Sequence, residues 1–146
     1  MAEVAFHFNA PDKAAYVCRL LRKAYLKGAR LTVLAPAEQL GALDRGLWLM
    51  AQGEFVPHCL GSDPPPLRRH SPIQLVSELD EQVPTGVLIN LGEEVPPAYA
   101  RFERVIEVVG LREDDRAGAR QRWRRYQAEG IAPQRFDLKL APGDSA

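Results

Sequence analysis

Apolar and polar positions along the chain fall into short blocks that predict strands separated by helices. Val4-Ala5-Phe6-His7-Phe8 is a β-prone run closed by Asn9-Ala10-Pro11-Asp12, where Asn9 or Asp12 suits a helix cap and Pro11 a first helical turn. Beyond it Ala15, Cys18, Leu21, Tyr25 and Leu26 recur at helical spacing, and Lys27-Gly28 supplies a basic last turn and a stop. Leu31-Thr32-Val33-Leu34-Ala35 follows as a second strand. The N-terminal segment therefore reads as a βαβ unit, whose strands are normally parallel.

Pro36 opens a second helix, Ala37 to about Leu43, which runs on into Leu47-Trp48-Leu49-Met50 with Gly41 and Gly46 weakening it. Gly61 to Pro72, containing Pro64-Pro65-Pro66 and Arg68-Arg69-His70, shows no hydrophobic period and is expected to be a loop. Ile73 to Val76, Gly86 to Leu91 and Val105 to Val109 read as three further strands. The middle one is apolar at consecutive positions, as a strand covered on both faces should be. Asp114 or Asp115 suits the cap of a last helix that continues to about Glu129 and stops at Gly130. Five strands interleaved with helices predict a single Rossmann-like α/β domain over residues 1–138, an open, mostly parallel sheet with helices on both faces. Lys139 to Ala146, with its Pro142-Gly143-Asp144-Ser145 run, is expected to be a disordered tail. No internal repeat is visible.

Composition changes this picture little. The longest stretch without a charge, Gln82 to Gly92, has eleven residues. A membrane-spanning helix needs about 20 apolar residues, so a cytoplasmic chain with no membrane partner is expected. Cys18 and Cys59 stand at no metal-ligand spacing and read as buried thiols rather than a disulfide. Charge matters more: 19 basic residues balance 19 acidic ones, so the chain as a whole has no pull toward nucleic-acid phosphates. Strong direct nucleic-acid binding is not expected, and any electrostatic partner must meet a local patch.

Enzyme chemistry finds little to stand on. The turn Phe8-Asn9-Ala10-Pro11-Asp12-Lys13 contains none of the glycines that bring a backbone up to a pyrophosphate, and no Gly-x-x-x-x-Gly-Lys loop occurs. His7, His58 and His70 have no metal-binding companions at helical spacing, and the bland reading of His58 is a structural histidine in a turn. There is no Gly-x-Ser-x-Gly elbow, and the acid pairs Glu93-Glu94 and Asp114-Asp115 are explained by solvation or capping. No catalytic residue, cofactor or metal is therefore assigned. A degenerate nucleotide-binding enzyme using the C-terminal edge of the sheet is the rival reading.

Two features carry binding chemistry. Arg112, Arg116, Arg120 and Arg124 recur every four residues and form a slowly drifting stripe on the last helix, to which the basic charge is expected to be confined. Trp123 falls inside it. One reading is a solvated basic face with Trp123 dipping into the core beside Ala119 and Tyr126. The other is a pocket for an acidic peptide, with guanidinium forks holding carboxylates beside an aromatic seat. The stripe alone does not separate a peptide from a phosphate. The second feature is the aromatic-rich stretch from Leu43 to His58, in which Trp48 and Phe55 flank a glycine-bearing turn, either as core or as anchors for a protein partner.

These two stretches resemble the chi subunit family of bacterial DNA polymerase III. The resemblance rests on Leu43-Asp44, Leu47-Trp48 and Glu54 to His58, on Val108-Val109, and on Ala119-Arg120-Gln121-Arg122-Trp123-Arg124-Arg125-Tyr126 closed by Gly130. Val4 to Phe8 and Val87 to Asn90 extend it over nearly the whole chain. The resemblance implies a non-enzymatic adaptor between the clamp loader and single-stranded DNA-binding protein, whose acidic, Phe-ended C-terminal tail the family takes on its last basic helix. The matching positions are Arg116, Arg120, Trp123 and Arg124; family members commonly carry lysine at the first and last of these and tyrosine at the third. A shorter link from Val109 to Asp115 leaves Leu111 to stand in for an apolar wall. Trp48 and Phe55 match the surface that meets a second partner, the psi subunit or, in some bacteria, an XPD-like helicase.

Overall fold

The structure is a computed structural model that describes residues 2–49 and 56–139. Its strands are β1 (Glu3–Ala10), β2 (Leu31–Leu34), β3 (Cys59–Leu60), β4 (Ile73–Val76), β5 (Val87–Asn90), β6 (Arg104–Gly110) and β7 (Gln134–Asp137). Its helices are α1 (Lys13–Leu26), α2 (Ala37–Leu49), α3 (Pro65–His70) and α4 (Glu113–Ala128). The strands make one seven-stranded sheet in the order β3-β4-β2-β5-β6-β1-β7, with every neighbouring pair parallel.

The expected α/β architecture is present, with two strands and one helix beyond it. β3 is only two residues long, and β7 reads Gln-Arg-Phe-Asp, an edge strand too polar to stand out. The segment from Gly61 to Pro72 is not wholly loop, because Pro65 opens α3, where its missing N–H costs no hydrogen bond. The side chain that anchors α3 is Arg68, buried at 5% exposure, so no apolar period marks the helix. Arg68 reaches Gln74 Oε1 through Nε at 3.1 Å and forms a two-pronged contact with Asp80 at 2.8 and 3.0 Å. That guanidinium holds the Asp80 carboxyl below the usual carboxylate range.

Strand alternation distributes β1 between two layers. His7 turns to α1, where its Nδ1 lies 2.6 Å from the Tyr16 hydroxyl. Phe6 and Phe8 turn to the α4 side. One core joins α1 and α2 to the sheet through Val17, Leu21, Leu43 and Leu47; the other joins α4 through Ala119 and Tyr126, with Phe6, Val105 and Val109 beneath. Asp12 caps α1 by accepting the Ala15 N–H at 3.1 Å. Gly28 and Gly130, at φ +84° and +88°, end α1 and α4 in the left-handed region that glycine occupies without strain.

The expected cap of α4 is corrected. Arg112 is the N-cap residue and its side chain caps nothing, while Glu113, Asp114 and Asp115 sit in the first turn, where acids complement the helix dipole. Asp115 is held outside capping by the Gly110 N–H and by Lys13 Nζ at 3.1 Å. Both cysteines are buried free thiols, and burial pushes the Cys18 thiol up to about 11.

Candidate functional site

Between α4 and the edge strand β7 lies a cleft of about 640 Å³, within the usual range for ligand sites of roughly 300 to 1,000 Å³. Its floor is apolar, built from Phe6, Phe8, Val109 and Ala119; Arg116, Arg120, Trp123 and Arg124 rise along the α4 wall, and Arg135 stands on the β7 wall. Trp123 is neither solvated nor fully core. It is half-buried, with its ring 5.1 Å from that of Phe6, and Phe6 in turn meets Tyr126 edge-on at 6.0 Å. The cleft therefore offers an aromatic seat between cations.

The arginines of α4 are not equivalent. Arg112 pairs with Asp114 at 3.1 Å, Arg125 with Glu129 at 2.5 Å, and Arg120 with Glu113 at 2.6 Å, all at exposed or partly exposed positions. Arg122 points into the core instead, its Nε 2.9 Å from the fully buried Glu107. The Glu107 carboxylate also accepts from Tyr126 Oη at 2.8 Å and from Asn90 Nδ2 at 3.0 and 3.1 Å. Burial pushes the Glu107 carboxyl up, and Arg122, Asn90 and Tyr126 pull it back. Of the two arginines off the stripe's period, Arg122 is thus a core residue, while Arg125 stays at the surface.

Charge without an acid partner remains at three places around the cleft. Arg116 donates to the neutral side-chain oxygen of Asn9, and neither Arg124 nor Arg135 joins an ion pair among the described residues. Asn9 sits at φ +69° beside a bulge in β1, a conformation that asparagine tolerates better than most residues. From there it bridges Arg116 to Asp137 Oδ1 at 2.8 Å and holds that acid below its ordinary range. Arg135 lies over the Phe8 ring with its guanidinium carbon 4.9 Å from the centroid, a cation–π contact that fixes the side chain while leaving its charge available.

The structure brings Arg116, Arg120, Trp123 and Arg124 into one cleft. It does not bring in Leu111, which is 46% exposed and lines a neighbouring depression with Lys13 and Asp114. Val109, Phe6 and Phe8 form the apolar wall instead. Phe6, Phe8, Asn9 and Arg135 lie outside the expected set: the i, i+2 spacing of Phe6 and Phe8 is a signal present in the sequence, whereas Arg135 becomes relevant only once β7 pairs with β1.

The second feature splits. Leu43 and Leu47 are buried, as one face of α2 requires, but Trp48 is 56% and Leu49 81% exposed, so the core alternative for Trp48 is corrected. Trp48 meets the His58 ring at 5.4 Å, and His58 is held by Asp44 at 2.7 Å and by the Val56 carbonyl at 2.8 Å. Phe55 lies outside the described residues. α2 and α4 pack on opposite faces of the sheet, so Trp48 and the cleft do not share a surface. Among the described residues there is no group of three or more His, Cys, Asp or Glu side chains arranged to hold a metal, and no helix long and apolar enough to cross a membrane.

Residues 1–134 match the family described as DNA polymerase III chi subunit, HolC. The chain is also 31% identical over 118 residues to the DNA polymerase III subunit chi of Pseudomonas aeruginosa, covering 80% of each chain.

Proposed function

The chain belongs to the DNA polymerase III chi subunit family, replisome components, and from that premise we propose that it is a non-catalytic adaptor whose α4 cleft takes the acidic, Phe-ended C-terminal tail of single-stranded DNA-binding protein. The observation that carries this reading is the combination in one cleft of an aromatic seat, Trp123 on Phe6, with cations left without acid partners. A terminal Phe packs against Trp123, Phe6 and Val109, while its carboxylate and the preceding acids meet Arg116, Arg120, Arg124 and Arg135. Guanidinium forks hold carboxylates in pairs of hydrogen bonds, and an aromatic anchor in a rimmed pocket is the usual source of affinity in such contacts. The same cleft gives a bare phosphate no use for its apolar floor, which favours a peptide with an aromatic end.

Arg124 provides the cleanest test, since no internal acid competes for it. In fluorescence anisotropy, Arg124→Ala should weaken binding of an acidic, Phe-ended peptide by about 1.5 to 3 kcal/mol, the range for hydrogen bonds to charged groups. Unchanged affinity with an intact circular dichroism spectrum rules out this site.

The exposed Trp48 and Leu49 support the second half of the adaptor role, capture of psi or an XPD-like helicase. Trp48→Ala should weaken that capture and lower stability by less than the about 3 to 5 kcal/mol expected of a buried tryptophan. A large fall in melting temperature together with loss of tail binding contradicts an interface role.

A further inference from the structure

Between Asp12 and Glu38 the chain carries Lys13, Arg19, Arg22, Lys23, Lys27 and Arg30 and not one acid. Helix α1 buries Val17, Cys18 and Leu21, which turns Arg19, Lys23 and Lys27, four residues apart, to solvent as one exposed stripe. Beyond the helix, exposed Arg30 donates to the backbone oxygens of Arg69 at 2.6 Å and Ser71 at 3.4 Å, which brings the C-terminal end of α3 alongside. Arg69 is exposed too, and its guanidinium donates to the neutral Gln82 amide oxygen at 3.2 Å. Basic charge is therefore not confined to the last helix.

None of Arg19, Lys23, Lys27, Arg30 and Arg69 joins an ion pair among the described residues, whereas Arg112, Arg120, Arg122 and Arg125 around α4 each do. In a chain of zero formal charge, this strip and the cleft each group several cations without an acid partner, and α1, which carries Arg19, Lys23 and Lys27, packs on the face of the sheet opposite α4. The strip has no exposed aromatic side chain, and its exposed large apolar neighbours, Leu26 and Leu67, stand singly on two different helices, so it lacks the anchors of a peptide pocket.

We propose that the strip is a contact surface for the phosphate backbone of single-stranded nucleic acid. Cations one helical turn apart, about 6 Å per step, meet a polymer that repeats its charge along its length. No group on the strip is placed to select a base, so the contact is independent of sequence. It is weak alone, since non-specific binding of this kind has dissociation constants of roughly 10⁻⁴ to 10⁻⁶ M at physiological salt. It gains weight when a tail held in the α4 cleft tethers the protein beside the strand and raises the effective concentration. That tethering step rests on the tail-binding reading; the contact with a bare strand does not.

The test uses the full chain and a fluorescent oligothymidylate in a salt series at low ionic strength, with the acidic, Phe-ended peptide measured in parallel. The Lys23→Gln/Lys27→Gln variant should reduce the slope of log affinity against log salt by about 1.4, two phosphates at about 0.7 each, and leave peptide affinity unchanged. Arg124→Ala should do the reverse. The proposal is overturned by absence of oligothymidylate binding at low salt, by an unchanged slope in the double variant, or by a double variant that loses the peptide instead of the strand. Failure of Arg124→Ala to affect the peptide overturns the tail reading and leaves the strip standing.

Discussion

Glu113 and Asn9 do opposite things to the arginines they touch. Asn9 orients Arg116 without neutralising it, so the guanidinium meets a ligand with its charge intact. Glu113 occupies Arg120 at 2.6 Å, and an incoming carboxylate must displace it. Both members of that pair are more than half exposed, which limits the cost to the range of a surface ion pair, at most about 1 kcal/mol. Glu113→Gln should therefore tighten binding of the acidic peptide by up to about fivefold, measured by anisotropy, and weaker binding would mean that Glu113 positions Arg120 rather than competing for it. Arg120 and Arg124 were readable as cleft residues because a four-residue repeat survives in sequence. Arg122 was not, because a buried arginine and a solvated one look the same until the strand that supplies Glu107 is placed beneath the helix.

The elements legible in sequence are those with a run or period of apolar side chains, β1, β2, β4, β5, β6, α1 and α2, together with α4, which is marked by its acidic start, its four-residue arginine repeat and the Gly130 stop. α3 escaped because its inward residue is Arg68, satisfied by Gln74 and Asp80 rather than by hydrophobic contact. β7 escaped because three of its four residues are exposed, and its place is set by pairing with β1. α4 depends on a polar core contact in the same way. Arg122 and Glu107 are nearly or wholly buried, so removing the cation strands a charge in the interior. Arg122→Met should cost about 3 to 5 kcal/mol in chemical denaturation. Adding Glu107→Gln should recover part of that loss, because a neutral amide needs no counter-charge; a double variant as unstable as the single one would mean that the loss came from packing instead.

Across the whole molecule, the parallel sheet acts as a spacer. α4 and β7 build the cleft on one side, while α1 and α2 carry the basic strip and Trp48 on the other. An adaptor gains from surfaces that can be engaged at the same time, since a second contact made by a tethered partner is intramolecular. Well-separated sites without shared partners should also behave additively, within about 0.5 kcal/mol. The chain already points to two separate surfaces, because Trp48 lies in its middle and the arginine stripe on its last helix; that they take opposite faces of the sheet follows only from how α2 and α4 pack.

Those two tryptophans are the only ones in the chain, and each sits at a different surface. A ¹H–¹⁵N correlation spectrum of the protein therefore contains one indole signal for the cleft and one for α2. Titration with the acidic, Phe-ended peptide should shift the Trp123 indole, together with the amides of Phe8, Val109 and Arg135, and leave the Trp48 indole in place. A Trp48 indole that moves while Trp123 stays fixed would contradict the assignment of the α4 cleft as the tail site.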